Sequence, residues 1–120
     1  MMNQQQKTDK AYQDDLKLLE LAAKAAGYKL ANTKDGYPLW IDGQGIWNPL
    51  TDDGDALRLA VKLELDIRMD VYTDAVCVSN FDIELVEEKY NDDPYSVTRR
   101  AIVRAAAQLA LSSNEIGKTL

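Results

Sequence analysis

Trp47-Asn-Pro-Leu-Thr51-Asp-Asp-Gly-Asp55-Ala-Leu-Arg-Leu-Ala-Val-Lys-Leu63 is the stretch whose reading decides the fold. Pro49 disfavours the helical region for Asn48, because its ring crowds the backbone of the preceding residue. A helix is therefore expected to start after Pro49. Thr51 or Asp52 serves as N-cap, its side-chain oxygen accepting from an N–H two or three residues on. Asp52, Asp53 and Asp55 then set negative charge at the positive end of the helix dipole, each worth about 0.3–1 kcal/mol when exposed. Beyond the cap, Ala56, Leu57, Leu59, Ala60, Val61 and Leu63 are apolar, while Arg58 and Lys62 share one polar stripe. So wide an apolar surface predicts a helix packed between other elements.

The Asp run has the residue types of a calcium site, and that reading is set against capping. A helix–loop–helix calcium loop needs alternating oxygen ligands, a glycine and a closing Glu at its twelfth position. Gly54 falls inside the run and, counted from it, no Glu closes the loop. Capping is the reading taken, and no metal or cofactor is expected.

The same segment carries a resemblance. W-N-P-L-T-D-D-G-D-A-L-R-L-A-V-K-L, followed after a variable region by Arg99-Arg-Ala-Ile-Val-Arg-Ala-Ala-Ala107, resembles the small phage and prophage proteins grouped as the phage ABA sandwich domain family. The resemblance covers residues 13–110 approximately. It implies a bacteriophage protein with a single α/β domain, its helices on both faces of a small sheet. No enzymatic activity or catalytic residue is carried over with it.

Composition narrows the function classes. A chain of 120 residues is one domain on size alone, and its 46% hydrophobic content suffices for a core without disulfides. The single Cys excludes an intramolecular disulfide and fits a reducing cytoplasm. Cys77, among Ala75, Val76 and Val78, reads as a buried strand thiol. With no His, a Ser-His-Asp triad, a Cys–His pair and a His-containing zinc site are all excluded. No apolar run approaches the ~18 residues of a membrane span. Residues 1–10 are polar and have no apolar core of a signal peptide. A net charge of −6 works against phosphate-backbone binding and permits binding to a basic surface.

Outward from the central stretch, residues 1–11 read as a tail and 12–111 as one α/β domain, with 112–120 a second tail. From Gln13 the apolar positions Leu16, Leu19, Ala22, Ala23 and Ala26 recur at helical spacing, and Gly27 is the natural stop. Tyr28–Ala31, Pro38–Ile41 and Ile46–Trp47 read as short strands, with turns at Asp35-Gly36 and Asp42–Gly45. Asp66–Tyr72 alternates, placing Ile67, Met69 and Val71 on one face of a half-buried strand. Thr73-Asp74 turns it back into Ala75–Ser79. Residues 81–93 stay open between strand, helix and loop. Asp93-Pro94 opens the last helix as N-cap and first helical residue, with Val97, Ala101, Ile102, Ala105, Ala106 and Leu109 as its buried stripe. The order α–β–β–β–α–β–β–α predicts a layered α-β-α sandwich, α/β (α+β) in class, with a small, mostly antiparallel sheet.

Two functional readings follow. The first is a non-enzymatic phage accessory protein that binds a host or phage protein in the cytoplasm of the infected bacterium. Its acidic surface would be Glu84, Glu87, Glu88 and Asp92, residues that also suit a solvated loop. The second is a small-molecule or nucleic-acid binding module. It would use Trp40 and Trp47 as stacking surfaces and Arg99, Arg100 and Arg104 as a phosphate patch. Set against it, the tryptophans suit core packing and the arginines suit pairing within the chain.

Overall fold

The computed structural model describes the backbone of residues 4–31, 39–41, 43–91 and 93–119, and their side chains except at 4–9, 40 and 113–119. In chain order the elements are α1 (Gln4–Ala26), β1 (Trp40–Ile41), β2 (Gly45–Ile46), α2 (Asp53–Lys62), β3 (Asp66–Asp70), β4 (Ala75–Asn80), β5 (Ile83–Lys89) and α3 (Pro94–Thr119). The class is the mixed α and β one expected. An antiparallel sheet ordered β3-β4-β5 is accompanied by a separate β1-β2 hairpin.

The central element is α3. Ala101, Ile102, Val103, Ala105, Ala106, Ala107 and Ala110 are all buried, so the helix is covered on more than one side. It packs against β4 and β5, against α2, and along its length against α1. Val103 and Ala107 lie three and seven residues beyond Arg100, on the same helix face. Arg100 reaches Asp15 of α1 at 3.1 Å, which marks that face as the α1 side. Alanines meet alanines there, since Ala22, Ala23 and Ala26 of α1 are buried too. Small side chains let the two helices approach closely.

The layers therefore run sheet, then α3 with α2, then α1. Among the described residues no helix packs on the sheet's other face. That face carries Asp66, Arg68 and Asp70 of β3 and Glu87 and Lys89 of β5. Ala75 and Cys77 of β4 lie between them in the register. Both small residues are buried, as expected of Cys77, beneath the long side chains of the flanking strands. Period-two alternation in β3 leaves only one of its faces apolar enough to hold a helix.

Local signals act where they stand. Gly27 adopts φ 75°, and the closing bonds Gly27 N–H to Lys24 O (3.1 Å) and Tyr28 N–H to Ala23 O (2.9 Å) end α1 there. Asp93 caps α3, its Oδ1 accepting from the Tyr95 N–H at 3.2 Å. Both outer helices run past their expected ends: α1 starts at Gln4 rather than Gln13, and α3 continues to Thr119 where a tail is expected. Extending an existing helix needs no new nucleus, and Gln, Lys and Ala propagate it well.

The strands differ more. Among the described residues Tyr28–Ala31 contributes the isolated bridge Leu30–Ile41, and the expected Asp35-Gly36 turn lies outside them. The β3–β4 connection takes four residues, 71–74, so Val71 is in the turn rather than on the strand face. Asp70 Oδ1 accepts from the Tyr72 N–H (2.9 Å) and the Thr73 N–H (3.3 Å), which holds its carboxyl below the usual carboxylate range. The open segment 81–93 supplies β5. Its pleat buries Val86 and exposes the neighbouring Leu85, and a register irregularity between Val78 and Asn80 sets Ile83 opposite Asn80.

Helix α2 ends in a Schellman pair, with Glu64 N–H bonded to Val61 O (3.2 Å) and Leu65 N–H to Ala60 O (3.0 Å). The residue in the left-handed position is Glu64, at φ 54°. A side chain there costs about 1–2 kcal/mol relative to the right-handed region, partly offset by the entropy a glycine would lose. Glu64→Gly is expected to raise the unfolding free energy by about 0.5–1 kcal/mol. Urea titration followed by circular dichroism at constant slope checks it.

A candidate binding groove

The site begins with what α2 leaves uncovered. Ala56, Leu59 and Ala60 are buried, whereas Leu57 and Val61, on another face, are 61% and 69% exposed. The helix is thus packed on one apolar stripe and open on a second, which corrects the expectation that it is packed between other elements. It rests on α3 rather than on the sheet. A groove of roughly 400 Å³ remains between α2, the inner face of β3 and the first turns of α3. Leu57, Ile67, Met69, Tyr90, Tyr95 and Ile102 form its apolar lining. Met69 is 58% and Tyr95 68% exposed. The Tyr90 hydroxyl donates to Met69 Sδ at 2.9 Å and ties two sides of the sheet face together.

The wall that α2 supplies is positioned by its cap. Asp52, with extended backbone, accepts from the Asp55 N–H at 2.8 Å, as one of the two expected N-cap candidates. Asp55 in turn accepts from the Asn48 N–H at 2.9 Å, and Asn48 Oδ1 from the Leu50 N–H at 3.0 Å. Asp55 also holds the Arg58 guanidinium at 2.8 Å and pushes it above its ordinary pKa. The bare Gly54 leaves room for this, because a Cβ there would stand 3.1 Å from Arg58 Nη2. The Asp run is thus employed in capping and pairing, and among the described residues no group of three or more His, Cys, Asp or Glu is arranged around a metal position.

The far end of the groove is latched by Arg99. Its Nε donates to Leu50 O at 2.8 Å and its Nη1 to Asp53 Oδ1 at 2.6 Å, joining α3 to the start of α2. Its side chain is mostly buried, so Arg99→Met strands the Leu50 carbonyl and the α2 start. A loss of about 1–3 kcal/mol is expected, the scale of a charge-assisted bond with a partly buried acceptor. Equilibrium denaturation of the two proteins measures it.

The residues expected to form a site are dispersed. Trp47 is 4% exposed and packs edge-on against Tyr28, ring centroids 5.7 Å apart, so it belongs to the core. The Trp40 side chain and Asp92 lie outside the described residues. Arg99, Arg100 and Arg104 each hold a carboxylate, on Asp53, Asp15 and Glu88 respectively. Glu87 and Glu88 are adjacent on β5 and so face opposite sides of the sheet. Glu88 turns inward to Arg104 at 2.8 Å, and Glu87 outward to Lys89 at 3.1 Å. Glu84 is exposed beside α3, in a hollow it shares with Arg104 and Gln108. One acidic face is therefore not assembled from these residues.

Leu57, Met69, Tyr90 and Tyr95 are the site residues that sequence reading passes over. The available signal is the second apolar stripe of α2, Leu57 and Val61 four residues apart, which exceeds what one packed face needs. Compared with known proteins, the chain matches no family model, no curated protein and no solved structure.

Proposed function

We propose that this is a non-enzymatic bacteriophage accessory protein that acts by binding another protein in the cytoplasm of the infected cell, a host factor being one class of target. Its contact surface is the groove between α2, β3 and α3. The observation that carries the surface is the exposure of Leu57, Met69 and Tyr95 around a single concavity. An apolar cluster open to water and rimmed by polar residues such as Asp53 and Arg99 is the anatomy of a protein contact. Support for a phage origin is the Trp47–Leu63 motif together with Arg99–Ala107. Among the described residues no helix is long and apolar enough to cross a membrane. The nucleic-acid reading is weakened by the buried Trp47 and by the carboxylate held on each of its three arginines.

The test is affinity capture from infected and uninfected cell lysates with the tagged protein and its Leu57→Glu/Tyr95→Ser variant. Both substituted residues are exposed, so the variant is expected to keep its thermal unfolding midpoint. The expected result is a stoichiometric protein retained by the parent chain and lost from the variant. Equal retention by both would sink the groove as the contact surface, and recovery of nucleic acid in its place would favour the alternative.

A further inference from the structure

We infer that the free edge of β3 receives an extended peptide segment of another protein as a fourth strand, with side chains alternating basic–apolar–acidic–apolar–basic. The inference rests on the protein-binding reading above and names the chemistry of its partner.

Strand β3 is paired with β4 alone among the described residues. Every second N–H and C=O along it therefore points away from the sheet, as on any unpaired edge. The groove lies beside that edge. Ile67 and Met69 point into it from β3, and Leu57 faces them from α2. Because α2 is docked on α3 and not on the sheet, the groove between Leu57 and β3 stays open. A strand laid there at the usual spacing of about 4.8 Å would send alternate side chains under α2, onto Leu57 and Met69. The added strand would then be covered by α2 much as β4 and β5 are covered by α3. This is strand addition, in which main-chain bonds supply affinity and alternate pockets supply choice.

Charge selects the occupant. The other face of β3 carries Asp66, Arg68 and Asp70 in a row, negative, positive, negative, with Arg68 paired to the largely covered Asp70 at 3.6 Å and Asp66 left exposed. Directly opposed side chains on neighbouring strands interact, and like charges there are destabilising. The complementary row is positive, negative, positive. A second copy of this chain does not meet it over the whole strand. Antiparallel pairing of β3 with itself, centred on Arg68, sets each Asp against an Asp and Arg68 against its own counterpart. Only shortened registers escape the clash.

The probes are three synthetic nonapeptides. One has a Lys-Val-Glu-Val-Lys core, one the charge-swapped Glu-Val-Lys-Val-Glu core, and one the first core N-methylated at alternate residues. Amide NMR titration and hydrogen exchange of the protein report binding. The first peptide is expected to shift Leu57, Ile67, Met69 and Tyr95 and to slow exchange along β3. The swapped core should bind at least about tenfold more weakly, a difference of 1.4 kcal/mol, and the N-methylated peptide should leave β3 exchange unchanged. Equal binding of the two charge patterns, perturbation confined to another surface, or no binding at the peptide's solubility limit would each overturn the inference. So would a concentration-dependent dimer whose β3 amides are protected without peptide, which would assign the edge to a second copy. If the peptides fail while the Leu57→Glu/Tyr95→Ser variant still loses its captured protein, only the added strand falls. If the variant retains that protein as well, the groove falls with it as the contact surface.

Discussion

Trp47→Ala is expected to lower the unfolding free energy by about 3–5 kcal/mol, the cost of emptying a large aromatic site. Against the ~5–15 kcal/mol that holds a domain of this kind, the variant would be largely unfolded at mild denaturant. The reason is position. Trp47 follows β2 and immediately precedes the Asn48-Pro49 turn that starts α2, and its backbone N–H bonds to Leu39 O at 2.9 Å. Its ring packs at 77° to that of Tyr28, and the Lys62 ammonium stands 4.4 Å from the centroid of the Tyr28 ring. Emptying the site would loosen the hairpin, the end of α1 and the last turn of α2 together. Trp47→Phe keeps most of the volume and should cost less than half as much. Guanidinium titration followed at 222 nm measures both. An alanine variant with an unchanged midpoint would show that the ring does not pack the core and would revive its reading as a ligand platform.

Leu59→Ala is the second large effect, about 2–5 kcal/mol for a fully buried leucine whose neighbours cannot collapse into the gap. Leu59 is completely inaccessible and sits on the α2 face that meets α3. The informative comparison is Leu57→Ala, two residues away, which removes the same atoms from an exposed position. That change should stay within about 0.5 kcal/mol, as surface substitutions do. Paired thermal and urea unfolding of the two variants tests whether α2 has one buried stripe or two. A Leu57 loss as large as that of Leu59 would mean that the groove wall is part of the core.

Much of the fold is legible in the chain wherever a residue acts within a few positions of itself. The cap of α2 needs only an acceptor at Asp52 and an N–H three residues on. Gly27 needs only its own freedom at positive φ to end α1. Asp93-Pro94 and the alternation of Asp66–Asp70 are of the same kind, as is the burial of Cys77 in an apolar strand. The candidate site was much less legible. Glu87 and Glu88 form a continuous acidic run on paper, and the pleat of β5 sends them to opposite faces. Arg99, Arg100 and Arg104 form a basic patch on paper, and three different elements supply their carboxylates.

By itself the sequence determined the class, the helix ends governed by Gly27 and Asp93, the start of α2 and the exclusion of histidine chemistry, because each depends on residue type or on contacts within one turn. Tertiary structure alone decided that α3 is the centre, that β5 is a strand, and that among the described residues helices cover one face of the sheet. It also decided that α2 shows its Leu57 stripe to water. Apolar periodicity states that a face seeks cover, and the amount of cover depends on where the other elements come to rest. Here α1 and the sheet take opposite sides of the same alanine-rich helix, and α2, held against α3 by Leu59 and by the Arg99 latch, stops short of β3.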